Sequence, residues 1–136
     1  MSTRPPMRDV LAVAPAVLAL LARLRWLHPR RDLDGLLAAA TPAAGARPLD
    51  EARAGVALRL SRAIIRRLPR VFPQPCLYWS LAAYHFLLRA GKSPVMHIGV
   101  RADGHELLSH AWVTVQDQWV AGQPDPSGYT KVISLP

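Results

Sequence analysis

The chain has 136 residues, 51% of them hydrophobic, and one cysteine. That suits a single small domain over residues 1–136, able to bury a core and too apolar to stay disordered. A lone cysteine excludes an internal disulfide and every zinc pattern built on two or more thiolates, so no metal or cofactor is called for and a cytoplasmic protein is the default.

The formal charge is +8, and all of it lies in residues 1–75, which hold 13 arginines against 5 acids, whereas residues 76–136 hold 4 basic and 4 acidic side chains. A basic half invites an acidic protein, an anionic membrane or nucleic acid. Nucleic acid is not expected, because no nucleic-acid-binding motif accompanies the charge.

In chain order, residues 9 to about 27 read as an apolar helix with Pro15 near its start, where a first-turn boundary or kink is tolerated. Its uncharged run, residues 10–22, is shorter than the roughly 20 residues a bilayer span needs. It also lacks a signal-peptide cleavage site. It therefore reads as a core helix, with no transmembrane segment. A short helix covers residues 33–40, and Thr41-Pro42-Ala43-Ala44-Gly45 is a loop by composition. Pro48-Leu49-Asp50-Glu51 places proline and acids where the next helix begins. That helix is strongly basic, with Arg53, Arg59, Arg62, Arg66, Arg67 and Arg70. Pro69, Pro73 and Pro75 interrupt the chain before Cys76.

Residues 76–90 are again helical, with Leu77, Leu81, Tyr84 and Leu88 spaced to share a face, and Gly91 suits the position after the helix end. The period then changes. Residues 94–101 read as a strand, 102–105 as a turn, 106–115 as a second strand, 118–121 as a third and 129–135 as a last one. The plan is α+β: a basic helical part over residues 1–70, then a core over residues 71–136 in which a helix starting at Cys76 packs on an antiparallel sheet.

Cys76 is the first candidate for chemistry. At a helix start, unpaired N–H groups and the positive dipole end favour a thiolate, and the Cys76 amide is placed to serve an oxyanion. The bland reading of a lone cysteine is a buried structural one. His110, in His110-Ala111-Trp112-Val113 on a strand, is the candidate base, since a helix N-terminus packed on a sheet brings such a pair together. His97, on the neighbouring strand, is the rival. A third group is needed to orient the imidazole. With Gln116-Asp117 as a hairpin turn, Val115 faces Gln118 and His110 faces Gln123. Asp117 then lies about 20 Å along the strand from His110, while Asp125 shares its side-chain parity. Asp125 is preferred, with Gln123 as a polar substitute.

Cys76-Leu77, the helix ending Arg89-Ala90-Gly91, the strand Ile98-Gly99-Val100-Arg101 and His110-Ala111-Trp112-Val113 occur in this order over about residues 70–125. Together they resemble the lasso peptide leader peptidases, which belong to the transglutaminase-like, papain-related cysteine proteases. The resemblance implies a Cys–His–Asp triad, carried onto Cys76 and His110 directly. The family's acid falls where this chain has Gly122, so Asp125 rests on the hairpin register. It also implies cleavage of a leader from a ribosomally made precursor peptide. This chain resembles the stand-alone protease half of the split form. The implied partners are the precursor, a separate leader-recognition protein and a downstream lasso cyclase that consumes the freed core peptide. Arg59, Arg62, Arg66 and Arg67 are then expected to present a surface to the recognition protein or to an acidic leader. Two alternatives stand beside this: a transglutaminase-like deamidase or acyl transferase using the same residues, and a non-catalytic basic adaptor in which Cys76 is merely buried.

Overall fold

A computed structural model describes residues 4–120 and 127–135. Three helices come first: α1 (Met7–Leu27), α2 (Leu33–Ala40) and α3 (Glu51–Arg67). Asp32 and Asp50 set the starts of α2 and α3, accepting from the Gly35 amide at 2.9 Å and the Arg53 amide at 2.7 Å. Such caps contribute about 1 kcal/mol each. Arg66 and Arg67 in the last turn of α3 complement the helix dipole.

Helix α1 begins at Met7, so Pro15 lies in its interior and not near its start. The proline removes one donor to the Leu11 carbonyl, and Leu11 is exposed, so water can take the lost bond. The helix extends the uncharged run at both ends. With 21 residues it is long and apolar enough to cross a bilayer by length and composition alone. In this fold Val13, Val17, Leu20, Leu21 and Leu24, spaced three and four apart, are buried and join the common core.

Helix α4 (Pro75–Arg89) is the centre of that core. Pro75 takes the first helical position, where its missing N–H costs nothing. Leu81 and Tyr84 are buried as the helical spacing implies. Trp79, Ser80, Ala82, Ala83 and Phe86 are buried too, because α1, α2 and α3 pack on one side of α4 and the sheet on the other. The small side chains of Ser80, Ala82 and Ala83 let neighbouring elements approach closely. Gly91 ends the helix with φ +80°. Its amide bonds the Leu88 carbonyl and the Lys92 amide bonds that of Leu87, both at 3.0 Å, which is the paired closure that a left-handed residue permits.

The strands β1 (Pro94–Asp103), β2 (Glu106–Val115), β3 (Gln118–Trp119) and β4 (Thr130–Leu135) form one antiparallel sheet in the order β3-β2-β1-β4. Gln116 and Asp117 form the hairpin turn, with φ +53° and +63°, and Val115 faces Gln118 as the spacing requires. Alternation splits the sheet into two faces. Met96, Ile98, Ala111 and Val113 turn toward α4 and join the core. His97, Gly99, His110 and Trp112 take the other face. The architecture is α+β.

His85 ties α4 to α2 by donating from Nδ1 to the Ala40 carbonyl at 2.9 Å. Burial pushes this imidazole below its ordinary value of 6.5; the bond to Ala40 opposes that, and Arg89 and Arg23 add to it. The unfolded chain therefore takes up more protons than the folded one, and stability declines as pH falls below the unfolded value. One such group can supply at most about 1.4 kcal/mol per pH unit, and a part-exposed ring realises only a fraction of it. His85→Gln keeps a donor without titrating. Urea unfolding between about pH 7.5 and pH 5 should show a shallower loss of stability in this variant, and parallel curves would contradict the assignment.

Candidate active site

Cys76 occupies the second position of α4 and is partly exposed. Leu77 and Tyr78 both donate to the Gln74 carbonyl, at 3.1 and 3.3 Å, and the Gln74 side chain does not cap the helix. The Cys76 amide, at the second helical position, has no acceptor inside the helix. A cleft of about 330 Å³ opens here, and both Cys76 and His110 line it. Gln74 and Ser109 give the cleft further hydrogen-bonding groups, while Leu36, Leu77 and Ile98 give it an apolar wall.

His110 is held by a row of rings across the sheet. It stacks on Trp112, with centroids 5.8 Å apart and planes 20° apart, and Tyr129 meets its ring at 5.1 Å. Arg101 lies over the Tyr129 ring at 4.9 Å. Trp112 itself is buried and sits against Gly99. A Cβ on Gly99 would come within 2.8 Å of both the indole and the Thr130 carbonyl oxygen. The pairing of β1 with β4 shifts register at this same point, between Ile98 and Gly99. Gly99 is therefore the residue that lets the Trp112 ring lie on the sheet, and Trp112 is the surface against which His110 rests.

The rival base is differently engaged. His97 Nδ1 shares a hydrogen bond with Ser134 Oγ and Nε2 with Thr114 Oγ1, each at 2.7 Å. Its ring stacks on the other neighbour of the row, Trp112, at 5.5 Å. Burial pushes its pKa below 6.5, Lys131 adds to that, and Asp117 opposes it. His97 is absent from the lining of the Cys76 cleft. Asp117 sits in the turn at the far end of β2 from His110. Asp125 and Gln123 lie outside the described residues, as does the end of the third expected strand. Among the described residues no group of three His, Cys, Asp or Glu side chains is placed to hold a metal.

A family model described as the transglutaminase-like superfamily matches residues 15–134. The chain belongs to this superfamily. Members of the transglutaminase-like superfamily are usually cysteine-dependent enzymes, cysteine peptidases among them. The match takes in Cys76 and His110, the four strands except the last residue of β4, and every helix except the first turns of α1. No curated protein and no solved structure matches the chain.

Sequence reasoning missed the part of the transglutaminase-like cleft that comes from the helical half. His28 and Arg31, in the turn between α1 and α2, line it. His28 Nδ1 shares a 2.6 Å hydrogen bond with Tyr78 Oη, and the two rings meet edge to face. Burial raises the Tyr78 pKa above 10.0 despite the nearby Arg25, so the phenol stays neutral. No local pattern marks these residues, since the pair is 50 positions apart in the chain.

Gly99→Ala is expected to destabilise the protein by about 1–3 kcal/mol, the usual range for overpacking, because the main-chain oxygen of Thr130 cannot move aside cheaply. The displaced indole should also change the near-ultraviolet circular dichroism. An unchanged unfolding midpoint and spectrum would refute the role given to Gly99.

Proposed function

We propose that the chain is a cysteine endopeptidase that removes the leader from a ribosomally synthesised lasso peptide precursor in the cytoplasm, with a separate recognition protein presenting the leader. The observation that carries this is that Cys76, at the N-terminus of the buried α4, and His110, on β2, both line one cleft of a transglutaminase-like chain. The order of Cys76, Ile98-Gly99-Val100-Arg101 and His110-Ala111-Trp112-Val113 supports the finer assignment.

The chemistry follows from the roles of the two groups. His110 takes the proton from the Cys76 thiol as sulfur attacks the carbonyl carbon of the scissile peptide bond. The oxyanion of the tetrahedral intermediate finds the Cys76 amide, with the Gln74 side chain at hand as a second donor. His110 then gives its proton to the leaving amine, the N-terminus of the core peptide. The leader remains as a thioester on Cys76. Water, deprotonated by His110, releases the leader as a carboxylate and restores the thiol. Asp125 is assigned to orient the imidazole, which keeps one ring nitrogen directed at sulfur. The apolar wall of Leu36, Leu77 and Ile98 and the Arg31 side chain would select the residues flanking the cut.

The test combines the protein, the precursor and the recognition protein, and weighs the products. Hydrolysis at one bond gives leader and core; a precursor that stays whole identifies acyl transfer if it gains the mass of an added amine, and deamidation if it shows the amide-to-acid mass change without one. Cys76→Ala, still folded, should lose all turnover, and retained turnover would make the cysteine structural; a parent protein with no turnover and no pH-dependent alkylation of Cys76 would point to the basic adaptor. His110→Ala should lose roughly 10²–10⁴-fold in rate, the usual contribution of a general base, with His97→Ala much milder. Exchange of those two phenotypes would make His97 the base. Asp125→Asn should slow turnover more than Asp117→Asn, and equal, negligible effects would remove Asp125 from the triad.

A further inference from the structure

Away from the cleft, the surface between α1 and the end of α3 is unusual in two independent ways. The first is its shape and polarity. A groove of about 500 Å³ runs along this seam, with Leu18 and Ala22 on one wall, Ile64, Leu68 and Val71 on the other, and Trp26 at the end. Several of these side chains lie open: Leu18 is 55% exposed, Trp26 60% and Leu68 45%. Exposed apolar side chains scattered singly need no explanation, but a contiguous concave set does. A volume of this size is within the roughly 300–1,000 Å³ range of real binding pockets.

The second is charge. Residues 18–31 and 59–72, the two segments that build the groove, together hold nine arginines and not one acid. Arg25 and Arg30 line the groove itself. Arg30 lies over the Trp26 ring at 4.3 Å and donates to the Trp26 carbonyl at 2.7 Å, so indole and guanidinium form one platform. Arg67 and Arg70 flank Leu68 in sequence and are exposed. By contrast Arg59, Arg62 and Arg66, spaced three and four apart, share a different face of α3 from Ile64 and Leu68.

We infer that this groove docks an acidic amphipathic segment of a partner protein, with apolar side chains seated against Leu18, Ile64 and Leu68 and carboxylates facing Arg25, Arg30, Arg67 and Arg70. An apolar floor inside a wholly cationic rim is complementary to that chemistry and to no neutral or basic segment. A flat membrane surface has no use for a concavity. The rim charges act mainly on encounter rate and orientation, and they weaken as salt shortens the screening length to about 8 Å at 0.15 M ionic strength. The inference does not depend on Cys76 being a nucleophile.

The probe is a labelled synthetic peptide with leucines at helical i, i+3, i+4 and i+7 spacing and glutamates between them, followed by fluorescence anisotropy with the whole protein. Saturable binding that weakens with salt is expected. A scrambled peptide and a lysine-for-glutamate peptide should bind at least about tenfold more weakly, as should Leu18→Glu and the double variant Arg67→Glu/Arg70→Glu with the original peptide. Alkylation of Cys76 should proceed in both variants as in the parent. Should Leu18→Glu lose its circular dichroism, the arginine variant, which alters exposed side chains alone, decides. Equal binding of all three peptides, or parent-like binding by the folded variants, would overturn the inference. So would a preference for phosphatidylglycerol vesicles over the peptide, or self-association of the parent protein that Leu18→Glu abolishes, which would make the occupant a lipid surface or a second copy.

Discussion

The indole of Trp112 lying against Gly99 is the contact on which the candidate site depends. The ring lies over Gly99, a diagonal neighbour on β1, where any Cβ would collide with both the indole and a main-chain oxygen. The seated indole then serves as a common surface for two imidazoles, His97 and His110, each nearly parallel to it. Offset stacking of this kind contributes about 0.5–1.5 kcal/mol per pair beyond the area it buries. Its larger consequence is positional. One imidazole has both nitrogens fixed by Ser134 and Thr114, and the other is held where β2 borders the cleft of Cys76. Two histidines of similar sequence character thus sit in different surroundings, one engaged at both ring nitrogens and the other lining the cleft.

The cysteine side of the site follows from burial. Helix α4 is enclosed by α1, α2 and α3 on one side and by the sheet on the other, so its axis is fixed by packing and not by its own propensity. Its N-terminus emerges at the edge of that enclosure, led by Pro75, with Cys76 partly exposed. A packed helix end beside a paired strand is the kind of support that holds side chains in place better than a loop does. The helical half contributes more than support, since the turn carrying His28 and Arg31 forms part of the cleft. The basic helical half and the half that carries Cys76 and His110 therefore share one core and line one cleft.

Much of this was legible in the sequence, for identifiable reasons. The change from helical to alternating period after Gly91 located the sheet, and the Gln116-Asp117 turn fixed the β2–β3 register. Pro75 and Gly91 bracketed α4 because each has a single good place in a helix. Other features could not be read. The Leu77/Leu81/Tyr84/Leu88 stripe suggested one buried face, yet α4 is buried nearly all round, because periodicity reports contrast with polar residues and this helix has few. Pro15 seemed to mark a helix start, but tertiary packing carries α1 through it from Met7. The roles of Gly99 and His28 depend on partners far along the chain, so no local spacing announces them. The groove at the α1–α3 seam was hidden for the same reason, although the arginines around it were plain.

The central claim is that Cys76 forms a covalent bond to the leader with His110 as its proton acceptor. The most direct measurement is acid quenching of the protein in the presence of precursor and recognition protein, followed by intact-mass and fragment analysis. The account predicts a thioester-linked leader on Cys76 in the parent protein, accumulating and decaying as core peptide appears, and no such adduct in folded His110→Ala on the same timescale. Release of core peptide without any adduct on Cys76, or an adduct that forms equally fast without His110, would contradict it.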